Sequence, residues 1–193
     1  MHKRSFLAAA AGAALAPAAL AQAPHPVRGP ILLTVSGAAV TRPNRGPLDP
    51  VLDQFMSKQK LAFERARAFD FHALVNLPAV TIRPTLEYDG KKHALRGPLL
   101  LHVLRAAGVK DDAAQLVLRA IDGYSPTLSL QDVRKFDFIV ATHLDNRAIP
   151  LGGLGPLWAV YEADRFPEMA AKPVDQRFAL CPWGLYHVEV KAG

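Results

Sequence analysis

Between residues 80 and 108 the chain alternates between apolar and polar positions, then changes period. Val80, Ile82, Leu86 and Tyr88 share one parity and Thr81, Arg83, Thr85 and Glu87 the other, which predicts a strand with one apolar and one hydrogen-bonding face. Asp89-Gly90 suits a two-residue type I′ hairpin, whose central residues both need positive φ, and residues 91–96 then form its second strand. Gly97-Pro98 reads as a helix start, because proline lacks the N–H that a first turn leaves unsatisfied and already has a helical φ. Leu100, Val103, Leu104 and Ala107 follow at i, i+3, i+4 and i+7, and Gly108 stands where a C′ glycine belongs.

Elsewhere the pattern predicts short strands and short helices. ILLTVS at 31–36 has the leucine and β-branched content of a buried strand that stops at Gly37. TRPNRGPLDP at 41–50 reads as loop, and 51–60 as one amphipathic helix with Val51, Leu52, Phe55 and Met56 on a stripe. Residues 41–60 thus form an excursion from the core: a surface insertion, or a segment that covers a site or touches a partner. A strand is predicted over 61–68, with Asp70 as N-cap of a brief helix ended by Pro78. QLVLRAI at 115–121 is apolar on both parities, so both faces of that strand should be covered. Ser129 and Asp132 resemble a capping box. FIVATHL at 138–144 reads as a buried strand closed by the turn Asp145-Asn146-Arg147, LWAVY at 157–161 as another, 164–173 as irregular and 186–190 as the closing strand. Roughly seven or eight strands, with two to four helices out of strict alternation, make an α+β fold of mixed β-sheets with short helices.

Composition adds the compartment and narrows the partners. At 193 residues, 50% hydrophobic and 21% charged, the chain has room for one buried core and one domain. His2, Lys3 and Arg4 precede an alanine-rich apolar run over 6–20, and Ala19-Leu20-Ala21 offers small residues before Gln22. This predicts a signal peptide over 1–21, a single domain over 22–193 and a periplasmic or secreted protein. Lys3-Arg4-Ser5-Phe6-Leu7 is a variant of the twin-arginine signal with lysine in the first position, and a basic pair also suits ordinary secretion. The apolar run is too short to span a bilayer, and no later run reaches spanning length. Loss of the leader removes Lys3 and Arg4 and leaves 21 basic against 17 acidic residues, a net charge of +4. The basic residues are scattered, without an aromatic platform or a basic helix, which argues against nucleic acid and leaves a small anionic ligand or a periplasmic protein partner. Cys181 is the only cysteine, so an intramolecular disulfide and a zinc–thiolate site are excluded, and a buried apolar position is expected for it.

The chain has no G-x-S-x-G, H-E-x-x-H, phosphate-loop or EF-hand motif. Gly152-Gly153-Leu154-Gly155 is followed by Pro156 and a strand, whereas a dinucleotide loop must feed a helix. His72, His93, His102, His143 and His187 lack ligand spacing on a shared element, and His143, near the end of a buried strand, is the best placed of them. Three groups of polar residues stand out: Arg83, Thr85 and Glu87 on one strand face, Asp122 and Tyr124 at a strand end, and Arg177 with Trp183 around Cys181. A face with Arg and Thr can hold a phosphate or another oxyanion through charge-assisted bonds; the same residues also suit a solvated strand face and ordinary turns.

The order of segments carries a further signal. ILLTVSG, a short helix ending in LP, VTIRPTLEYDG, LRGPLLLHVLRAAGV, RAIDGYSPTLSLQDVRKFDFIVATHLDNRAI and GPLWAVYEAD together resemble the small exported proteins with an oxidoreductase molybdopterin-binding domain, related to the catalytic domain of sulfite oxidase. The resemblance runs over about 31–190, interrupted by residues 41–60. It implies a sulfite-oxidase catalytic-domain-like fold and a molybdopterin cofactor, with Arg83, Thr85, Glu87, Asp122, Tyr124 and Arg177 as the cofactor-binding residues. Enzymes of that family hold molybdenum through a cysteine in a Cys-x-Gly-Asn context just after the strand that corresponds to VTIRPTLEY. Here that place reads Leu86-Glu87-Tyr88-Asp89, and Cys181 matches nothing in the motif. A carboxylate or phenolate does not reproduce the soft thiolate donor. Three readings follow: an exported oxidoreductase relative that binds a pterin-type cofactor, a non-catalytic periplasmic binding module that kept the fold and lost the metal, or a vestigial cleft with residues 41–60 as an interaction surface.

Overall fold

The computed structural model describes residues 28–110 and 115–191; the leader read over 1–21 lies outside the described residues. The chain's first and last strands lie side by side. β1 (Ile31–Ser36) runs parallel to β11 (Leu185–Lys191), with Val35 opposite Val188. β2 (Ala66–Asp70), β5 (Gln115–Ala120) and β6 (Thr127–Ser129) complete a five-stranded sheet in the order β2-β1-β11-β5-β6, antiparallel except for the central pair. β3 (Ala79–Ile82), β4 (Leu95–Pro98), β8 (His143–Leu144) and β9 (Arg147–Ala148) form a second, antiparallel sheet. β7 (Ile139–Ala141) pairs with β10 (Trp158–Val160). Val35, Leu118, Val188 and Val190 from the large sheet, Leu100, Val103 and Leu104 from a helix, and Phe138, Trp158 and Tyr161 belong to one buried core. None of the helices of the described residues is long and apolar enough to cross a membrane.

The local signals that need only neighbouring residues are present. Asp70 caps α2 (Phe71–Val75) by accepting from the Ala73 N–H at 2.7 Å, and Ser129 caps α4 (Leu130–Lys135) by accepting from the Asp132 N–H at 2.9 Å. In α3 (Leu100–Ala106) the predicted stripe is buried, and Gly108 follows the C-cap with φ +77°.

Other expectations are corrected. Gly97-Pro98 does not open α3 but ends β4, pairing with Val80 and Ala79. A Cβ at Gly97 would lie 1.9 Å from the Val140 carbonyl oxygen, so glycine is there for the close approach of β7. Asp89-Gly90 is no two-residue hairpin. Gly90 alone has positive φ (+69°), and the Asp89 carboxylate accepts from the Lys91 N–H at 3.0 Å and pairs with His93 at 3.0 Å. These bonds organise a broad loop between Ile82 and Leu95, braced by a bridge between Thr85 and Lys92. The tight turn with two positive φ values lies instead at Asp145 (+47°) and Asn146 (+64°), between β8 and β9.

The strand read over 138–144 is divided, because Thr142 donates its N–H to the Arg96 carbonyl at 2.9 Å and the chain passes from one sheet to the other. Residues 164–173, read as irregular, hold a 3₁₀ turn (Ala163–Arg165) and α5 (Pro167–Ala170). The helix read over 51–60 shortens to α1 (Gln54–Lys58), which buries none of its residues. The strand expected over 61–68 begins only at Ala66, because the chain before it lies over the polar face of the large sheet.

Candidate functional site

The end of β5 and the loop after β3 converge on the chain that leads into β11. Between them lies a cavity of about 280 Å³, lined by Glu87 and Tyr88 from the loop, Ala120, Asp122 and Tyr124 from the strand end, and Asp175, Phe178, Ala179, Cys181, Pro182 and Trp183 from the third segment. Its rim is tied by hydrogen bonds. Tyr124 donates its hydroxyl to the Ala179 carbonyl, and its N–H to Asp122 Oδ1 at 2.9 Å. The buried indole of Trp158 donates to the Cys181 carbonyl at 2.9 Å, which fixes the floor.

Of the six residues singled out from the sequence, Glu87, Asp122 and Tyr124 line this cavity. Arg83, Thr85 and Arg177 are not among the lining residues. Arg83 is exposed, and its charge acts on Asp145. Thr85 and Arg177 meet through Asp164, a residue that no sequence motif singles out. One Asp164 oxygen accepts from the Thr85 N–H at 2.9 Å and hydroxyl at 2.7 Å, and the other from Arg177 Nη1 at 2.9 Å. Arg177 also donates to the carbonyls of Lys172 (2.9 Å) and Ala170 (2.7 Å), so its guanidinium is occupied by the protein itself. Burial opposes ionisation of Asp164, but the Thr85 bonds and the Arg177 charge outweigh it and hold the carboxyl below its ordinary value. This clamp joins the loop that carries Glu87 and Tyr88 to the segment that carries Phe178 and Cys181. The one available signal is positional: Asp164 follows a buried strand, as Asp122 does.

The electrostatics of the cavity are one-sided. Glu87, Asp122 and Asp175 face it, and among the described residues no lysine or arginine lines it. Burial pushes the Tyr88 phenol up to about 12, and the neighbouring Glu87 carboxylate adds to the effect. Cys181, remote from Glu87 in sequence, lies at the same cavity, buried as expected. Burial pushes its thiol well up, and the Glu87 charge pushes the same way, so at neutral pH it is a thiol and not a thiolate. His143 stands elsewhere, its Nδ1 2.8 Å from Thr142 Oγ1. Among the described residues no group of three or more His, Cys, Asp and Glu side chains is placed to hold a metal ion.

No protein-family model matches the chain, and no curated protein matches its sequence. Among solved structures, the sulfane dehydrogenase SoxCD from Paracoccus pantotrophus is similar, with a TM-score of 0.55 at 14% identity over 83% of this chain and 38% of that one. This chain thus spans well under half the length of that neighbour. The likeness shows the fold alone: mixed sheets with short helices, arranged as in part of that structure.

Proposed function

We propose that this chain is an exported binding module on a sulfite-oxidase-type fold, whose cavity takes a small organic cation such as a primary or methylated ammonium compound. The observation that carries the reading is the lining itself: Glu87, Asp122 and Asp175 supply negative charge, and Tyr88, Tyr124 and Trp183 supply aromatic surface. Carboxylates attract a cation, and ring faces hold it at about 0.5–2 kcal/mol each. The volume, about 280 Å³, suits a small metabolite.

Molybdopterin, implied by the sequence resemblance, does not fit these residues. Its phosphate calls for cationic or N–H donors, and its metal for a soft thiolate. The cavity offers three carboxylates and a thiol held protonated. Such a lining does not support oxo transfer. The fold likeness to a sulfane dehydrogenase keeps the oxidoreductase reading as the second one, and molybdenum in protein purified from its native compartment would establish it.

Thermal shift against choline and ethanolamine, with phosphate and sulfite in parallel, tests the first reading. Binding stabilises the fold by about 2.7 kcal/mol at a hundredfold excess over Kd, so the melting temperature rises with ligand concentration. The expected result is a shift with at least one amine that Glu87→Gln weakens. A shift with phosphate or sulfite and none with the amines refutes it.

A further inference from the structure

The five-stranded sheet has a polar face opposite its core face. Register places Thr34 and Ser36 of β1 beside His187 and Glu189 of β11, and Arg119 of β5 opposite His187. Thr34, Ser36 and His187 are buried, His187 at 1% exposure, because residues 45–63 lie across them as a strap. Phe63 stacks on the His187 ring with centroids 6.3 Å apart, and Arg45 lies over Phe63 and reaches Thr34 Oγ1 at 3.5 Å. Phe55 packs on Tyr186 at 4.8 Å, and the Tyr186 hydroxyl donates to Gln59 Oε1 at 3.3 Å.

Beneath the strap the hydrogen bonding is incomplete. His187 Nε2 lies 2.9 Å from Ser36 Oγ, while the buried Nδ1 has no partner. Arg119 Nη1 is likewise buried and unpartnered, although Nη2 of the same side chain pairs with Glu189 at 2.9 Å. The charged groups that face His187 are therefore Arg119 with Glu189 from the sheet and Arg45 with Asp53 (2.6 Å) from the strap. Both carboxylates are committed to a guanidinium. The strap is held at its ends, where Arg45 and Ala66 exchange backbone hydrogen bonds (3.0 and 2.9 Å) and Leu61 is 7% exposed, and lightly in its middle: α1 buries nothing, and Val51 and Leu52 are 71% and 81% exposed.

We propose that residues 45–63 are an acid-released cover: protonation of His187 sets a third cation beside the guanidiniums of Arg45 and Arg119, and the strap, which carries Arg45 and Phe63, lifts while the sheet stays folded. Burial first, then the charges of Arg119 and Arg45, push the His187 pKa from 6.5 down to about 3 in the closed form. The closed form thus binds fewer protons than the open one, and acid favours opening. The ratio of open to closed rises about tenfold per pH unit as pH falls below the ordinary histidine value, and levels off near the closed-form value. Lifting uncovers Ser36, His187 and the free Arg119 N–H as a hydrogen-bonding surface. The loss is local because the opposite face of the same sheet is anchored in the core.

Amide hydrogen exchange on the full chain between pH 7.5 and 4.5, corrected for intrinsic rates, reads this directly. The amides of Ser57, Gln59, Lys60 and Leu61, bonded within the strap, should lose protection about tenfold per unit below pH 6.5, while those of β5 and β11 keep theirs. Where His187→Gln folds, its strap protection should be independent of pH. The His187 ring, followed by NMR in the unaltered protein, should titrate in step with strap exchange. Strap protection that does not change with pH, or strap and β5–β11 amides that lose protection together, overturns the proposal.

Discussion

Asp164 ties the loop that carries Glu87 and Tyr88 to the segment that carries Phe178 and Cys181. Replacing it with alanine deprives the Thr85 N–H, the Thr85 hydroxyl and Arg177 Nη1 of their acceptor in one step. The Thr85 hydroxyl can rotate towards water, so the cost falls mainly on the other two. A neutral hydrogen bond contributes about 1 kcal/mol and one to a charged group about 1.5–3 kcal/mol. The Arg177 and Asp164 side chains keep 16% and 21% exposure, which lowers the ion-pair share through solvent screening. The sum is a destabilisation of about 2–3 kcal/mol, equivalent to a fall in melting temperature of roughly 4–12 °C for a domain of this size. Asp164→Asn retains one acceptor oxygen and should lose about half as much.

Urea unfolding at pH 7, with equal slopes for wild type and variants, measures the loss without assuming a melting mechanism. The clamp should also weaken in acid. Its carboxyl is held below 3.8 in the folded protein, so its contribution is complete above that value and disappears as pH falls through the folded value. If Asp164→Ala unfolds within about 0.5 kcal/mol of wild type, the range of an ordinary surface substitution, the clamp is not what joins the two walls.

Two further substitutions probe the scaffold. Gly97→Ala drives a Cβ to 1.9 Å from the Val140 carbonyl, so β4 and β7 must separate; a loss of about 3 kcal/mol or failure to fold is expected, and an unchanged urea midpoint would remove the close-approach argument. Asp70, 3% exposed, caps α2 and also accepts from the N–H groups of Arg28 (2.6 Å) and Gly29 (3.2 Å). Asp70→Ala should cost about 2 kcal/mol. Bonds from the Ala73 and Arg28 N–H groups hold the Asp70 carboxyl below its ordinary value, so the difference from wild type should shrink as pH drops below about 4; a difference that is constant with pH would contradict this.

What could be read from the chain alone has a common physical basis. β1, the stripe of α3, the two-sided burial of β5, the caps Asp70 and Ser129 and the glycine after α3 each follow from neighbours within about one helical turn or one strand. The order of these elements also carried the fold class, since short strands and helices out of alternation pack as mixed sheets. That Glu87, Asp122 and Tyr124 line one cavity follows from their places at a strand end and in a neighbouring loop, since such segments collect at one edge of a sheet.

What only the tertiary structure decided involves groups that meet across long stretches of chain. Gly97 is explained by a carbonyl on β7, and Thr85 and Arg177 by the carboxylate of Asp164; their local patterns suit a helix start and an anion site equally well. The sign of the cavity's charge likewise emerges only when Asp175 joins Glu87 and Asp122, and the placement of residues 45–63 only when Phe63 stacks on His187. Periodicity encodes which side of an element is apolar, a property of adjacent residues; it holds no record of which distant acceptor satisfies a given donor, because that partner is chosen by packing.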